Sequence, residues 1–367
     1  MPAYKNKSGK GWFVKFRIYD RQKKVKYITK RGFSTKHDAL EFENNYKLTQ
    51  SGSSSMKFRD FVQLYLDSIR PRLKESTMVM KENIINNRLL PFFGEMKMDA
   101  ITTADVLKWQ NEMLQYLDSK SKRPFARSYL KTLHNQLSAV FNFGIKFYGF
   151  KVNPAATVGN MGSDKRLAIN FWIPEEYKQF ADIIMKYPIA YYCFEVLYWT
   201  GIREGELLAL TPADIDLDAR TIRISKTYHV IKGREVITNP KTLKSNRIVS
   251  IPKRLAEELA DYMKMIYALA PSERLFPVSK TFLSKKLHEG ARKAGVKQIR
   301  VHDLRHSHIS MLIDMGYSAV AIADRVGHET VTITFRYSHL FPSREQKMID
   351  DINVAMEGEH RDDSKEY

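Results

Sequence analysis

The chain has 367 residues, 43% of them hydrophobic, and 60 Lys and Arg stand against 41 Asp and Glu, a formal charge of +19. That length allows two or three domains with real cores, and that charge favours a polyanionic partner, nucleic acid before an anionic membrane surface, because cations that neutralise phosphates release counterions. No apolar run approaches the roughly 18 residues of a spanning helix, the polar start Met-Pro-Ala-Tyr-Lys-Asn-Lys has no signal-peptide core, and the single cysteine, Cys193, leaves no internal disulfide framework and no multi-cysteine zinc site. A cytoplasmic protein is expected, with Cys193 as a packing thiol.

In chain order, Trp12 to Tyr19 alternate apolar and polar as a strand does, and "KVKYITKRGF" repeats the pattern after a turn around Asp20 to Lys23. "STKHDALEFENNY" then opens on Ser34 and Thr35 as caps and predicts a helix. Residues 1–50 carry 13 Lys and Arg against 4 Asp and Glu, a net +9. A basic sheet backed by a helix predicts a groove reader, since the major groove admits β-ribbons as well as helices; an untargeted solvated face is the plainer alternative.

Thr49 to Lys57, rich in Ser and Gly, predicts a flexible linker. Four helices are expected beyond it: "FRDFVQLYLDSI", "ESTMVMKENIINNRLLPFFG" stopped near Pro91, "TTADVLKWQNEML" behind a Thr cap, and "RSYLKTLHNQLSAVFNFGIKFYGF". They form a bundle from Lys57 to about Lys151, its surface carrying Arg70, Arg72, Lys74, Lys81, Lys108, Lys120, Lys122, Arg123 and Lys131. Those charges suit a second DNA-gripping face or plain solubility. Asn153 to Arg166 is expected as a second linker. Beyond it come helices from Pro174 to Leu210, three short strands in "TIRIS", "REVIT" and "NRIVSIP", and helices from Arg254 past Asp350. The tail from Asp350 holds seven acids and is expected to be frayed or to contact another subunit.

Four stretches of this last part carry chemistry. In "WTGIREGELLAL", Arg203 enters an apolar helix with Glu206 one turn on to orient it, although a surface Arg–Glu pair would look the same. In "TNPKTLKSNRIVSIP", Lys241 sits in a hairpin turn from which it could reach into a groove, or be an ordinary turn lysine. "VHDLRHSHIS" places His302 and His306 one turn apart, with Arg305 on the side of Ile309 and Leu312 and so leaning inward. "RVGHETVTITFRYSHL" supplies His328, after a glycine that permits close approach, and Tyr337, which alone would pass for a half-buried aromatic.

The paired histidines invite a metal reading. A two-histidine zinc helix needs a glutamate beside the first histidine, and Asp303 stands there instead. Arg305, between the two histidines, is a permanent cation where a divalent ion would have to sit. A phosphate reading fits better: two arginines, two histidines and a lysine all donate, and phosphate oxygens all accept. Donors fixed around a phosphorane stabilise it more than the ground state. Tyr337 could attack phosphorus, with Lys241 protonating the leaving 5′ oxygen.

Arg203 in "TGIREGELLAL", Lys241 in "PKTLKSNRIVSIP", His302 and Arg305 in "HDLRHSH", His328 in "VGHET" and Tyr337 in "FRYSH" follow the order of the tyrosine recombinases, and the chain resembles an integrase of the phage or conjugative-element type over nearly its whole length. The departure is small: Val326 stands where Leu commonly precedes Gly-His. The resemblance implies a multidomain, mainly α protein. It would comprise an arm-type DNA-binding domain at 1–50 (a small three-stranded sheet plus helix), a helical core-binding domain at 57–152, a mixed α+β catalytic domain at 168–349 and a C-terminal tail at 350–367. It implies that Arg203 and Arg305 clamp the scissile phosphate, that Tyr337 becomes 3′-phosphotyrosyl-linked, and that Lys241 protonates the leaving hydroxyl, with Lys244 the alternative. His302 and His328 would assist, His302 as the base, with Glu206 structural and His306 and His308 serving packing or DNA contact. It further implies that neither cofactor, ATP nor metal is needed, and that the enzyme works as a homotetramer on double-stranded DNA with core-type and arm-type attachment sites, helped by an excisionase and a host DNA-bending protein. Topoisomerase-like relaxation and non-catalytic DNA binding are the competing readings; the separate basic N-terminal module argues against the first and the full catalytic set against the second.

Overall fold

The computed structural model describes residues 3–5, 11–19, 25–36, 38–40, 56–119, 121–163, 169–239, 245–331 and 344–359. The chain divides into two compact units, Met1–Arg166 and Leu167–Tyr367.

In the first unit, β1 (Tyr4–Lys5), β2 (Trp12–Tyr19) and β3 (Val25–Phe33) form an antiparallel sheet in that order. Alternation decides its faces: Val14 and Phe16 are buried with Ala3 and Ala39, while Lys15 and Arg31, on the other face, are exposed. Lys15 lies over the Tyr27 ring at 5.6 Å and Arg31 over Phe13 at 5.7 Å, so the outer face is basic and aromatic together. Of the helix expected from Ser34, residues 36 and 38–40 are described and helical. The turn at Asp20–Lys23 and the Ser/Gly linker before Met56 lie outside the described residues.

The bundle of the same unit is built from α1 (Phe58–Ile69), α2 (Glu75–Ile84), α3 (Leu90–Phe93), α4 (Thr103–Gln115) and α5 (Arg127–Tyr148). Thr102 caps α4 as expected, accepting from the Asp105 amide while the Asp105 carboxylate accepts from the Thr102 amide at 2.8 Å. Pro91 does not stop the second helix. A π-helical turn, Ile85–Leu89, carries the chain into α3, where Pro91 sits in the first turn and its missing N–H costs nothing. The Arg88 carbonyl accepts from the indole of buried Trp109 at 3.0 Å. The linker expected from Asn153 begins instead as a short helix, α6 (Pro154–Val158), capped by Asn153 and buried through Ala155. Arg70, Arg72, Lys74, Lys108, Lys122 and Arg123 are exposed, Lys81 and Lys131 are half-buried, and Lys120 lies outside the described residues.

The second unit is organised around α8 (Pro188–Thr200), which is apolar on nearly every side and buried accordingly, Cys193 included. Around it lie α7 (Pro174–Ile184), the short α9 (Glu204–Leu207), α10 (Lys253–Met265), α11 (Lys280–Ala294), α12 (Asp303–Asp314) and α13 (Ala319–Val326). Among the described residues five strands occur where three were expected. The strands β4 (Ile215–Asp216), β5 (Thr221–Ile224) and β8 (Arg247–Ser250) form one sheet, and β6 (Thr227–Ile231) pairs with β7 (Arg234–Thr238) in another. The β6–β7 turn is Lys232–Gly233, both at positive φ (50° and 77°), the geometry of a tight hairpin. β7 and β8 therefore belong to different ladders; the Lys241 turn expected between them lies outside the described residues. The tail expected from Asp350 begins inside the last helix, α14 (Arg344–Glu359). No helix among the described residues is long and apolar enough to cross a membrane.

Candidate active site

Four of the six residues expected at the site are described: Arg203, His302, Arg305 and His328. Lys241 and Tyr337 lie outside the described residues, as does Lys244.

Arg203 stands at the entrance of α9, two residues after α8 ends on Gly201 in the left-handed conformation (φ 65°). Its Nη1 donates to the Glu206 carboxylate at 2.7 Å and its amide to the other oxygen at 2.9 Å. Its Nη2 donates to the Gly327 carbonyl at 3.0 Å. The side chain keeps 37% exposure, so a guanidinium held at two points still meets solvent.

Arg305 comes from the first turn of α12 and is 3% exposed, as its spacing with Ile309 requires. Its Nη1 donates to the Gly201 carbonyl at 2.8 Å. The helix start that carries it is itself pinned. Buried Asp303 accepts from the Arg300 amide at 2.8 Å and from the Arg300 guanidinium at 2.8 and 3.1 Å. Ser307 donates to the Asp303 carbonyl at 3.0 Å and accepts from the Trp172 amide at 2.9 Å. Asp303 and Ser307 can lie buried here because their side chains are paired.

His328 is placed by a helix stop. Gly327 ends α13 at φ 69°, and the His328 amide bonds back to the Ala323 carbonyl at 2.8 Å, which turns the chain and leaves the imidazole 6% exposed. His302 sits exposed at the cap of α12, its ring edge-on to that of His306 (centroids 5.1 Å apart, 86° between planes). His306 thus accompanies His302 at the site. His308 does not: it is buried, accepting from Arg325 Nε at 3.1 Å and filling the space against Gly201.

The electrostatics follow from this clustering. Desolvation, then the Arg305 and Arg203 guanidiniums, pushes the His328 pKa down to about 3. Desolvation, then Arg305, lowers His302, with Arg203 acting in the same direction. His306 falls to about 4 through desolvation and then His302. All three imidazoles are neutral at pH 7. Glu206 resists its burial (4% exposed): desolvation would raise its pKa, but Arg247 and then Arg203 hold it below the usual carboxylate range.

Arg247 is the residue that reading the sequence missed. It opens β8, its side chain only 7% exposed, and donates to Glu206 at 3.0 and 3.4 Å and to the Arg325 carbonyl at 2.9 Å. The signal was present: Arg247 shares the inward strand face with buried Val249 and Ile251, and an inward arginine needs a buried acceptor. Among the described residues no group of three or more His, Cys, Asp or Glu is placed to hold a metal ion. Two guanidiniums beside imidazoles of lowered pKa have the donors and charge that a tetrahedral oxyanion would need.

The sequence matches the phage integrase family over residues 172–344, its N-terminal SAM-like domain over 57–114, and an arm DNA-binding domain over 2–50. It is 28% identical over 347 residues to the ICEBs1 integrase of Bacillus subtilis, covering 87% of this chain and 90% of that one. The integrase of Mycobacterium phage L5 is 26% identical over 308 residues, covering 81% and 79%. In fold the chain resembles a Tn1549 transposon integrase in complex with circular intermediate DNA (TM-score 0.64, 20% identity, 76% of this chain and 94% of that one). It also resembles a lambda integrase in a tetramer bound to a Holliday junction (TM-score 0.57, 15% identity, 92% and 94%).

Proposed function

The chain belongs to the phage integrase family and is a tyrosine-type site-specific DNA recombinase, and from that premise we propose that Arg203, Arg305, His302, His328, Lys241 and Tyr337 carry its chemistry. The observation that supports this most is the convergence of Arg203 and Arg305. They come from distant segments, each is tied by one nitrogen to a glycine carbonyl, and both act on the same two imidazoles.

The two guanidiniums take the non-bridging oxygens of the scissile phosphate. Held in place before the reaction, they meet the charge that builds on a phosphorane without having to reorganise. Tyr337 Oη attacks phosphorus; the Oη–P bond forms as the P–O5′ bond breaks. The leaving 5′ oxygen takes its proton from Lys241, and the phenol proton passes to neutral His302. A histidine depressed by two arginines is a weak base until an anionic phosphate enters and offsets those charges, so proton transfer is favoured only with DNA in place. His328 donates to the phosphate from the opposite helix end. The phosphodiester energy is kept in the tyrosine link, so the 5′ hydroxyl of a partner strand can reverse the step.

Around this chemistry, the domains at 1–50 and 57–152 grip arm-type and core-type DNA and that at 168–349 cleaves it. The enzyme assembles as a homotetramer, integrates and excises a mobile element with an excisionase and a host DNA-bending protein, and works in the cytoplasm on the nucleoid. The test is a nicked suicide duplex built from the DNA flanking the gene, incubated with the full chain in EDTA. A covalent protein–DNA adduct is expected from the unaltered chain and none from Tyr337→Phe. An adduct that survives Tyr337→Phe would remove the nucleophile assignment, and no adduct at any flanking sequence would favour a binding protein without catalysis. A two-site plasmid then separates recombination from relaxation.

A further inference from the structure

We propose that Arg247 is a positioning residue for strand cleavage: it sets Arg203 through the Glu206 carboxylate and His328 through the carboxyl end of α13. The Glu206 carboxylate is the meeting point. One oxygen, Oε1, takes Arg203 Nη1 at 2.7 Å and Arg247 Nη1 at 3.4 Å; the other, Oε2, takes the Arg203 amide at 2.9 Å and Arg247 Nη2 at 3.0 Å. Arg247 Nε reaches across to the Arg325 carbonyl at 2.9 Å, two residues before the Gly327 carbonyl that receives Arg203 Nη2. The two arginines thus grip the same carboxylate and the same helix end, and His328 is the next residue along that end. A lone buried Glu206 paired with Arg203 alone could swing with it; the planar fork of Arg247 fixes the carboxylate's plane, and a lysine cannot reproduce two nitrogens and a third contact at once. Arg247, its side chain 7% exposed, donates to Glu206, the Ser245 carbonyl and the Arg325 carbonyl, so it acts through other residues.

The inference rests on the reading of Arg203 and His328 as phosphate ligands. The experiment compares single-turnover adduct formation on the same nicked flanking duplex by the full chain and by Arg247→Lys and Arg247→Met, alongside duplex affinity, thermal unfolding and the pH dependence of cleavage. Cleavage by Arg247→Lys is expected to fall at least about tenfold with affinity within about twofold, the range for losing a residue that orients a ligand rather than the ligand itself. In Arg247→Met the acidic limb of the pH profile should move to higher pH, because His328 loses a nearby cation. In the Glu206→Gln background, Arg247→Lys should slow cleavage by less than it does in the unaltered chain, since the two share one carboxylate while the contact at the end of α13 remains. Unaltered cleavage in Arg247→Lys, or a loss matched by an equal loss of affinity, would overturn the proposal. So would unfolding of both variants below the assay temperature, which would leave a structural role only. No adduct from the unaltered chain would instead strike the functional reading, and this inference with it.

Discussion

The Gly201 carbonyl accepts from Arg305 Nη1 at 2.8 Å, which joins the end of the central helix α8 to the start of α12. The same glycine is also the point of closest approach for His308. A Cβ at position 201 would lie 2.5 Å from His308 Cδ2 and 3.0 Å from Cγ, on a backbone at φ 65°. Gly201→Ala should therefore combine left-handed strain with overpacking, a cost of about 2–5 kcal/mol. The check is the thermal unfolding midpoint. It should drop markedly, and His308→Ala should restore part of the loss by making room; an unchanged midpoint in Gly201→Ala would contradict the packing described.

Arg203 is a fork held at Glu206 and Gly327, so charge alone does not replace it. Arg203→Lys should reduce adduct formation by about 100-fold or more, the scale for losing a fixed oxyanion donor. DNA affinity should change by no more than about threefold, because one phosphate contact is a small part of the counterion release of a whole footprint. Arg305→Ala should do the same to cleavage. Parallel loss of binding and cleavage in a titration by gel shift would undo the clamp assignment.

Stability should fall as the pH drops below about 6.5, ahead of the carboxylates. Burial, then Arg325, holds the His308 pKa down at about 3, while an unfolded histidine titrates near its ordinary value of about 6.5. Between those values the unfolded chain binds the proton that the folded chain refuses, so stability rises with pH across the window and is complete above it. For His308 the loss at pH 5 is about 2 kcal/mol. Denaturant midpoints at pH 7.5 and pH 5 test this: His308→Gln should flatten the difference, and an equally steep difference in that variant would assign it elsewhere.

The basic sheet of β1 to β3 presents Lys15 and Arg31 on one face, against the Tyr27 and Phe13 rings. Deleting residues 1–50 should leave adduct formation on a core-type duplex within about twofold, while integration between two plasmid-borne sites is lost, because bridging distant sites needs two independently bound modules. Integration at the unaltered rate by the deleted chain would end the arm-site reading.

Much of the fold was legible because its signals are local. Trp12 to Tyr19 alternate with period two and form β2 over those residues; Phe58 to Ile69 repeat at helical spacing and form α1; Thr102 caps where a Thr–Asp pair requires it. The errors fell where local signals compete. Pro91 signals a stop, and a π-turn before it lets the helical run continue two residues past it, to Phe93. "TYHVI" forms a strand that alternation alone does not single out, although Lys232–Gly233 marks the hairpin, because strand pairing is a long-range choice. "NPAATV" looks like a linker by composition and becomes a buried helix because Asn153 caps it and the bundle has a surface for Ala155.

The sequence by itself determined the elements, the basic N-terminal module and the residue types at the site, since periodicity, capping and charge are properties of neighbours in the chain. It could also place Arg305 inside α12 and His328 after a helix stop. Only the tertiary structure decided how those residues are held. The sharing of Glu206 between Arg203 and Arg247, the support of Arg305 by Gly201, the fit of His308 against that glycine, and the depression of His328 by two guanidiniums all arise between segments far apart in sequence. Such contacts depend on distances that packing alone sets, because an ion pair or a desolvated imidazole draws its energy from angstrom-scale separation and exclusion of water.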